Sequence, residues 1–284
     1  MKPTEILEKA STLSADQWLQ VLLDSTENPV WNGIQLPTFP DPALQSMFVG
    51  SSNKHALMEG SHFYKAVLSQ LEKHHIQLTS DSRVLDFGVG WGRYMRFFYR
   101  NVALNNLYGV DPWHLAIDMC RSTNVHGQLL QIGLRPPMVL ADNTFDVTFA
   151  YSVFSHLSPD AAEQWIAELA RCMKPGGLLL VTTQGRSFID YCASLRNKPF
   201  ESPWHEALQR SFQNVEKMYT DYDAGRMLYA ANGGGDGLPS DVYGDAIVPE
   251  GHVKKVWGKY LELVDFIDDR QYLPQALVVM RKPA

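Results

Sequence analysis

The run VLDFGVGWGR at residues 84–93 constrains the fold more than any other stretch of the chain. Its apolar start predicts a short buried strand that ends in an acid, and a G-x-G-x-G turn follows at Gly88, Gly90 and Gly92. Glycines at alternate positions allow a tight turn and let the backbone approach a ligand closely. The apolar residues after the turn repeat with helical spacing. The run therefore predicts a strand, a nucleotide-binding loop and a helix.

From residue 83 onward, apolar strand candidates alternate with helical stretches. A helix predicted from Ser158 has a serine cap and a proline in its first turn, and it ends at the sequence KPGG, a turn that leads into the next strand. This alternation predicts an α/β fold with a mostly parallel sheet covered by helices on both faces. The predicted strands are 84–87, 107–110, 145–150, 178–183, 261–267 and 276–280.

The chain divides into an N-terminal helical cap, residues 1–80, and a main domain, residues 81–284. A capping box at residues 14–17 predicts the start of a helix in the cap. Within the main domain, residues 186–247 break the strand–helix regularity; they are rich in aromatic residues and carry a glycine run at 233–235. An insertion at the carboxyl edge of such a sheet is expected to form a lid or a substrate wall. A packed accessory subdomain without ligand contacts is the alternative.

Composition excludes several classes of partner. The formal net charge is -6 and there is no basic stretch, which argues against nucleic acid or an anionic membrane as the main partner. No apolar run has membrane-spanning length, and residues 1–10 lack the apolar core of a signal peptide. The three cysteines, Cys120, Cys172 and Cys192, have no metal-ligand spacing. We therefore expect a reduced, cytoplasmic protein without a metal site.

The residues around the glycine loop bear on which nucleotide it holds. Asp111 ends the second predicted strand about 20 residues beyond the loop, where a carboxylate accepts hydrogen bonds from ribose hydroxyls of a dinucleotide or an adenosyl cofactor. The third glycine, Gly92, comes one residue earlier than in the dinucleotide fingerprint, which has its glycine where Arg93 stands here. Asp86 at the mouth of the loop would repel a pyrophosphate but could accept from an ammonium group. These features favour an adenosyl cofactor.

Four motifs, in this order and spacing, make the chain similar to class I S-adenosylmethionine-dependent methyltransferases of the small-molecule type. They are LDFGVGWGR at 85–93, GVD at 109–111, NTFDV at 143–147 with YSVFSHL at 151–157, and KPGG at 174–177. The resemblance covers residues 83–183 well and extends to 261–281 as a final strand pair. It implies a Rossmann-like, seven-stranded sheet whose last strand runs antiparallel, with an insertion before strand six. It also implies S-adenosylmethionine as the cofactor.

The same resemblance implies roles for individual residues. Gln131 would offer its amide oxygen to the adenine amino group where many relatives have an aspartate, with backbone groups as the alternative. Tyr151 and Ser152 would approach the sulfonium side of the cofactor. The remaining implied contacts are Asp86 with the amino group, Gly88, Gly90 and Gly92 along the methionine part, Asp111 with the ribose, and Trp113 beside the adenine.

His156 is the candidate general base, because it follows the fourth strand at the sheet edge where an acceptor would bind, and histidine titrates near neutral pH. A hydrogen bond within its loop or a cap on the next helix is the alternative. His252 is a weaker candidate and is predicted as a surface residue at a helix start. Arg93 is suited either to an anionic ligand or to pairing with an acid, and Trp91 is expected to pack.

The expected activity is methyl transfer from S-adenosylmethionine to a small molecule, at oxygen, with a sugar, glycan or secondary metabolite as acceptor. Two alternatives stay open at this point. One is a nicotinamide-dependent oxidoreductase, which the position of the third glycine disfavours. The other is a methyltransferase-like module that binds without catalysing a reaction.

Overall fold

The computed structural model describes residues 4–196, 198–234 and 238–284. These residues group into two compact units. The first unit contains the chain up to Ile132 together with Thr144–Phe149. The second unit contains Gly133–Asn143 and the chain from Ala150 onward. Residue 235 of the glycine run predicted in the insertion lies outside the described residues.

The helices of the described residues include a long N-terminal one, α4, and one that follows the glycine loop, α5. Their bounds are α1 Thr4–Ala10, α2 Ala15–Asp24, α3 Pro42–Val49, α4 Asn53–Lys73, α5 Arg93–Phe98, α6 His114–Ser122, α7 Pro159–Cys172, α8 Ser187–Ser194, α9 Pro203–Ser211, α10 Val215–Asp223 and α11 Glu250–Lys255. Within these ranges, no helix is both long and apolar enough to cross a membrane.

Seven strands form one mixed sheet in the order β10-β11-β7-β6-β3-β4-β5, and two small hairpins lie outside it. The strands are β1 Val30–Trp31, β2 Ile34–Gln35, β3 Val84–Phe87, β4 Leu107–Asp111, β5 Gln128–Gln131, β6 Phe145–Ala150, β7 Met173–Thr183, β8 Leu228–Ala230, β9 Asp245–Ile247, β10 Glu262–Ile267 and β11 Ala276–Arg281. Strands β3 to β6 pair in parallel, and β11 is antiparallel to both β7 and β10. The predicted seven-stranded sheet with an antiparallel last strand is confirmed.

The sequence analysis is wrong in two places: it misses one strand and assigns part of another to a turn. The sequence analysis found no strand at 128–131, where β5 pairs with β4. The KPGG sequence at 174–177 lies inside β7 and not in a turn before it, because Gly176 N–H donates to Lys282 O over 2.8 Å and Lys282 N–H donates to Gly177 O over 3.0 Å. Main-chain pairing at the sheet end thus extends the strand into residues with turn propensity.

In the first unit, α5 is buried on all sides, whereas the sequence predicted only one buried face. All six of its residues are buried, because helices α2 and α4 both pack against it. Tyr64 of α4 stacks on Phe97 with ring centroids 5.2 Å apart. The indole of Trp18 in α2 donates to the carbonyl of Arg96 over 3.0 Å. Helix α2 itself begins with the predicted capping box, in which Ser14 and Gln17 bond reciprocally.

In the second unit, the insertion folds into three helices and the β8–β9 hairpin around a core of its own. Phe188 and Ile189 of α8 pack there with residues of the two following helices. Part of the aromatic content of the insertion is therefore core. The division of the chain into a cap, a domain and a lid stays a prediction.

Candidate functional site

The glycine loop between β3 and α5 folds back onto β4. The amides of Gly88 and Val89 both donate to Val110 O, over 2.9 and 3.0 Å. Gly88, Gly90 and Gly92 have φ of 87°, 52° and 79°, which is the left-handed region that favours glycine. A Cβ at Gly92 would lie 2.8 Å from both methyl carbons of Val125. The alternating glycines are therefore required by backbone conformation and by space.

Asp86, the last acid of β3 before the loop, is buried without a partner. Its side chain is 1% exposed, and neither carboxylate oxygen has a hydrogen-bond partner among the described residues. Burial and the negative charge of Asp111 raise the pKa of Asp86 well above its usual range, while Arg93 acts in the opposite direction. A buried carboxylate with free acceptor capacity is suited to a ligand that donates hydrogen bonds, a cationic one above all.

Asp111, at the end of β4, is hydrogen-bonded to the glycine loop. Its carboxylate accepts from the amide of Gly90 over 3.0 Å and from the amide of Trp113 over 2.9 Å. Burial raises the pKa of Asp111 to about 6, against the opposite effect of these two amide bonds. Gln131 at the end of β5 donates through Nε2 to Pro112 O over 3.3 Å. That bond leaves the amide oxygen of Gln131 available. The strand ends at Asp111 and Gln131 pair with each other, and Asp111 bonds to the glycine loop, so these predicted contact residues lie near one another.

Phe48 of α3 also lies at this loop, and the sequence analysis did not identify it. Its ring is 5.1 Å from the ring of Trp113, and a Cβ on Gly90 would lie 3.2 Å from Phe48 Cδ1. The helix is fixed by Gln45, whose buried amide donates to Pro40 O over 2.8 Å and accepts from Asn53 N over 2.8 Å. No motif marks Phe48, because its position depends on this tertiary anchor.

Two residues of the sequence 84–93, Arg93 and Trp91, are packed in the protein interior. Arg93 is 4% exposed and donates to Ala56 O over 3.3 Å and to the Tyr94 hydroxyl over 2.9 Å. These bonds tie Arg93 to α4 and α5, and the choice between an anionic ligand and an acid as its partner stays a prediction. Trp91 is 1% exposed, which agrees with the packing role predicted for it.

In the second unit, the chain after β6 is held in a strained turn. Ser152 has a φ of 60°, a conformation that costs energy for a residue with a side chain. Its amide donates to Thr182 Oγ1 over 2.7 Å, and its hydroxyl accepts from Gln275 Nε2 over 2.9 Å. Thr182 in turn donates to Gln275 Oε1 over 2.6 Å. This closed network fixes the backbone at Tyr151 and Ser152.

His156 is held by the insertion in a single tautomer. Its Nδ1 lies 2.9 Å from Gly244 O, and because a carbonyl only accepts, Nδ1 carries the proton and Nε2 keeps the lone pair. Tyr243 stacks on the imidazole with ring centroids 4.8 Å apart. Burial lowers the pKa of His156, while the Gly244 carbonyl and the Asp245 carboxylate oppose that shift. The ring is therefore neutral at neutral pH.

Asp245, which the sequence analysis missed, lies behind His156. One carboxylate oxygen is 3.9 Å from His156 Nδ1 and accepts from Trp204 Nε1 over 2.9 Å. The other accepts from Asn232 Nδ2 over 2.7 Å. Asp245 is 4% exposed, so its charge acts on the imidazole with little screening by water.

The other histidines considered, His252, His74 and His75, lie in different environments from His156. His252 is half-buried, and not the surface residue predicted, because it packs edge-on against Trp257 at 6.2 Å; burial lowers its pKa. His74 and His75 follow the end of α4. No group of three or more metal-ligating side chains occurs within 4–196, 198–234 and 238–284.

A pocket of about 230 Å³ opens in the second unit. Its wall combines the residue after β6, the start of the insertion and the loop between β10 and β11. The lining residues are Tyr151, Gln184, Ser187, Phe188, Tyr191, Arg270, Pro274 and Gln275.

Residues 85–181, which run from β3 to β7 and include the glycine loop, match the family described as "Methyltransferase domain". This stretch of the chain is a methyltransferase domain. The domain family and the fold imply S-adenosylmethionine as the cofactor. The four motifs that predicted the family all lie within or next to the matched residues.

Two solved structures share the fold of the methyltransferase. An S-adenosylmethionine-dependent methyltransferase from Clostridium acetobutylicum is 11% identical, with a TM-score of 0.55 over 85% of this chain and 97% of the other. A Galdieria sulphuraria protein, named as a candidate sarcosine dimethylglycine methyltransferase, is 12% identical, with a TM-score of 0.51 over 92% of this chain and 98% of the other. At these identities the likeness shows the fold alone.

The loop residues of the methyltransferase fit this cofactor. The two oxygens of Asp86 without partners are suited to an ammonium group, and Asp111 retains acceptor capacity beside its two amide bonds, as ribose hydroxyls require. A pyrophosphate would meet two buried carboxylates at the same loop. The chemistry of the side chains therefore agrees with an adenosyl amino acid and disagrees with a dinucleotide.

Proposed function

We propose that the protein methylates an oxygen atom of a small molecule, with His156 as the general base. The observation that carries the proposal is the bond from His156 Nδ1–H to Gly244 O. This bond places the proton of the neutral imidazole on Nδ1 and the lone pair on Nε2, and burial favours the neutral ring. That is the state that a base needs before the reaction.

His156 would take the proton of the acceptor hydroxyl on Nε2 as that oxygen forms its bond to the methyl carbon. Asp245, 3.9 Å from Nδ1, would stabilise the imidazolium that results. Stacking on Tyr243 holds the ring in place, so orientation contributes to the rate. When bound, S-adenosylmethionine supplies a methyl group that its sulfonium charge already activates.

The residues proposed to hold the cofactor are those of the glycine loop and the two strand ends beside it. Asp86 would bind the ammonium group, and Asp111 would bind the ribose hydroxyls. Gly88, Gly90 and Gly92 would allow the methionine part to lie along the backbone. Trp113 would flank the adenine and Gln131 would accept from its amino group. Tyr151 and Ser152, in the turn fixed by Gln275 and Thr182, would face the sulfonium side.

A non-catalytic binding module is the second candidate, and a specific observation favours it. His156 is also tied through its main chain, since its carbonyl accepts from Gly244 N over 2.7 Å. Ser158 next to it bonds to Val242 O and Asp241 O over 2.8 Å each. These bonds are what a purely structural histidine would show.

The substitution His156→Gln separates the two candidates. The readout is S-adenosylhomocysteine released from S-adenosylmethionine with a panel of hydroxylated small molecules. A base contributes about 10²–10⁴ to the rate, so the variant should lose that factor while its affinity for S-adenosylmethionine stays the same. His114→Gln, at an exposed histidine of α6, is the matched control. Wild-type turnover by His156→Gln would exclude the base role, and no turnover by the wild-type protein with any panel member would favour the binding module.

A further inference from the structure

The pocket in the second unit combines one cation, three aromatic rings and several polar groups. We propose that it binds the methyl acceptor, and that this acceptor is a hydroxylated single-ring acid whose anionic group lies on Arg270. The inference rests on the proposed function and narrows its substrate class.

Arg270 contributes a positive charge to the pocket wall. The two acids before it bond to other groups: Asp268 accepts from Arg186 N over 2.7 Å and from the Tyr222 hydroxyl over 2.9 Å, and Asp269 accepts from Gln271 N over 2.8 Å. No ion pair between the described residues includes Arg270. A guanidinium in this state is suited to bind a carboxylate or phosphate through two hydrogen bonds.

Part of the pocket wall is aromatic. Phe188 and Tyr191 of α8 lie with ring centroids 5.5 Å apart, and Trp204 of α9 packs behind both, at 6.2 and 5.9 Å. The Tyr191 hydroxyl is 2.9 Å from His205 Nε2, which orients it further. Such a wall favours a ring that can stack on it.

The pocket is large enough for one ring. A dry cavity of about 150 Å³ admits one benzene molecule. The space of about 230 Å³ here therefore accommodates one six-membered ring with short substituents.

The polar groups of the pocket favour a hydroxylated ligand. Gln275 is oriented by Thr182 and Ser152, so its amide cannot turn away from the pocket wall without breaking that network. Gln184 also lines the pocket, and its main-chain carbonyl accepts from Val248 N over 3.0 Å. Amide side chains in a pocket wall both donate to and accept from hydroxyl groups of a ligand.

The test measures equilibrium binding to the full chain by ligand-observed NMR. Two acids, 4-hydroxybenzoate and glucuronate, are compared with their uncharged methyl esters. We expect at least one acid to bind more tightly than its ester by about tenfold or more, the size of effect that a charge-assisted pair gives. Arg270→Gln should remove that difference and leave the ester affinity unchanged. Arg196→Gln, at an exposed arginine outside the pocket, should leave it intact.

Three outcomes overturn the proposal: no acid binds, each acid binds no better than its ester, or Arg270→Gln retains the preference. Binding of either acid supports the proposal. Binding of 4-hydroxybenzoate alone indicates an aromatic ring in the ligand, and binding of glucuronate alone indicates a sugar ring. Because binding is measured without turnover, it can succeed where methyl transfer fails. If an acid binds through Arg270 but no member of the panel yields S-adenosylhomocysteine, the proposed function is contradicted and the anion-binding pocket stands.

Discussion

The ring of Phe48 lies 5.1 Å from the ring of Trp113, with 33° between their planes. Phe48 comes from α3, whereas Trp113 follows β4, so the contact brings the N-terminal segment to the glycine loop. The same ring touches the position where a side chain on Gly90 would be. We infer that Phe48 is a wall of the cofactor site.

Replacing Phe48 with alanine should therefore weaken binding of S-adenosylmethionine. An aromatic contact of this kind contributes about 0.5–1.5 kcal/mol beyond its buried area. Calorimetry gives the affinity directly. Met47→Ala, on the same helix at a side chain 57% exposed, should bind like wild type. Tighter binding by Phe48→Ala would show that the ring blocks the site.

The substitution Asp86→Asn should have opposite effects on affinity and on stability. It removes the acceptor of the ammonium group, a charged hydrogen bond of about 1.5–3 kcal/mol. Because the folded protein raises the pKa of Asp86, the protonated carboxyl of the cofactor-free protein contributes stability below its unfolded pKa. This contribution is lost as pH rises through the folded pKa. The cofactor-free variant should therefore have a higher Tm than wild type at pH 7, and the difference should disappear near pH 4.

Melting curves of both proteins from pH 4 to pH 8 measure this difference. A variant that melts below wild type at pH 7, or that binds S-adenosylmethionine equally well, would contradict the assignment of Asp86.

Cofactor affinity should rise with pH through the titration of Asp111. Its pKa of about 6 in the free protein leaves the carboxylate partly protonated at pH 5–6, and ribose hydroxyls favour the ionised form, so binding releases a proton. Calorimetry in two buffers of different ionisation enthalpy counts that proton. Asp111→Ala should reduce the release and weaken affinity by about 1.5–3 kcal/mol. Unchanged affinity would refute the placement of the ribose.

The pKa of His156 should depend on Asp245. Burial lowers that pKa and Asp245 raises it, so Asp245→Asn should lower it further. If His156 is the base, the acidic limb of the pH–rate profile moves to lower pH with it. The neutral imidazole also stabilises the fold above its unfolded pKa, and this contribution is lost as pH falls through the folded pKa. An NMR titration of the imidazole follows the shift without any substrate, and an unmoved pKa would exclude the coupling.

Arg96 should be among the arginines that matter most to stability. Its guanidinium is 1% exposed, donates to Pro37 O over 2.9 Å and to Thr38 O over 2.7 Å, and lies 4.4 Å from the ring centroid of Phe39. Arg96→Met leaves two carbonyls without these donors, at a cost of about 2–4 kcal/mol. Urea unfolding measures it. The control is Arg121→Met, at an exposed arginine 3.7 Å from Asp118, which should lower the free energy of unfolding by less than about 0.5 kcal/mol. An equal loss of stability in both variants would contradict this role of Arg96.

The sequence predicted the central strands because local pattern and tertiary packing agree there. Val84–Phe87 and Phe145–Ala150 have the predicted bounds, since each is a short apolar run bounded by polar or glycine residues. The missed strand β5 has the sequence QLLQ, is partly exposed and pairs on one side only. An edge strand of this kind carries no buried pattern to detect.

The residues that the sequence did not predict are single side chains placed by distant contacts. Asp245 acquires its environment from Trp204 and Asn232, and Arg270 is available because Asp268 and Asp269 bond elsewhere. Neither arrangement leaves a local pattern. The glycine loop and Asp111 were predictable because a tight turn beside a ligand restricts residue type within a short stretch.

Calorimetric titration of the full chain with S-adenosylhomocysteine, and separately with NAD⁺, tests the central claim most directly. The carboxylates of Asp86 and Asp111 at a G-x-G-x-G loop predict saturable binding of S-adenosylhomocysteine at one site per chain, and none of NAD⁺. Binding of NAD⁺ without binding of S-adenosylhomocysteine would contradict the account.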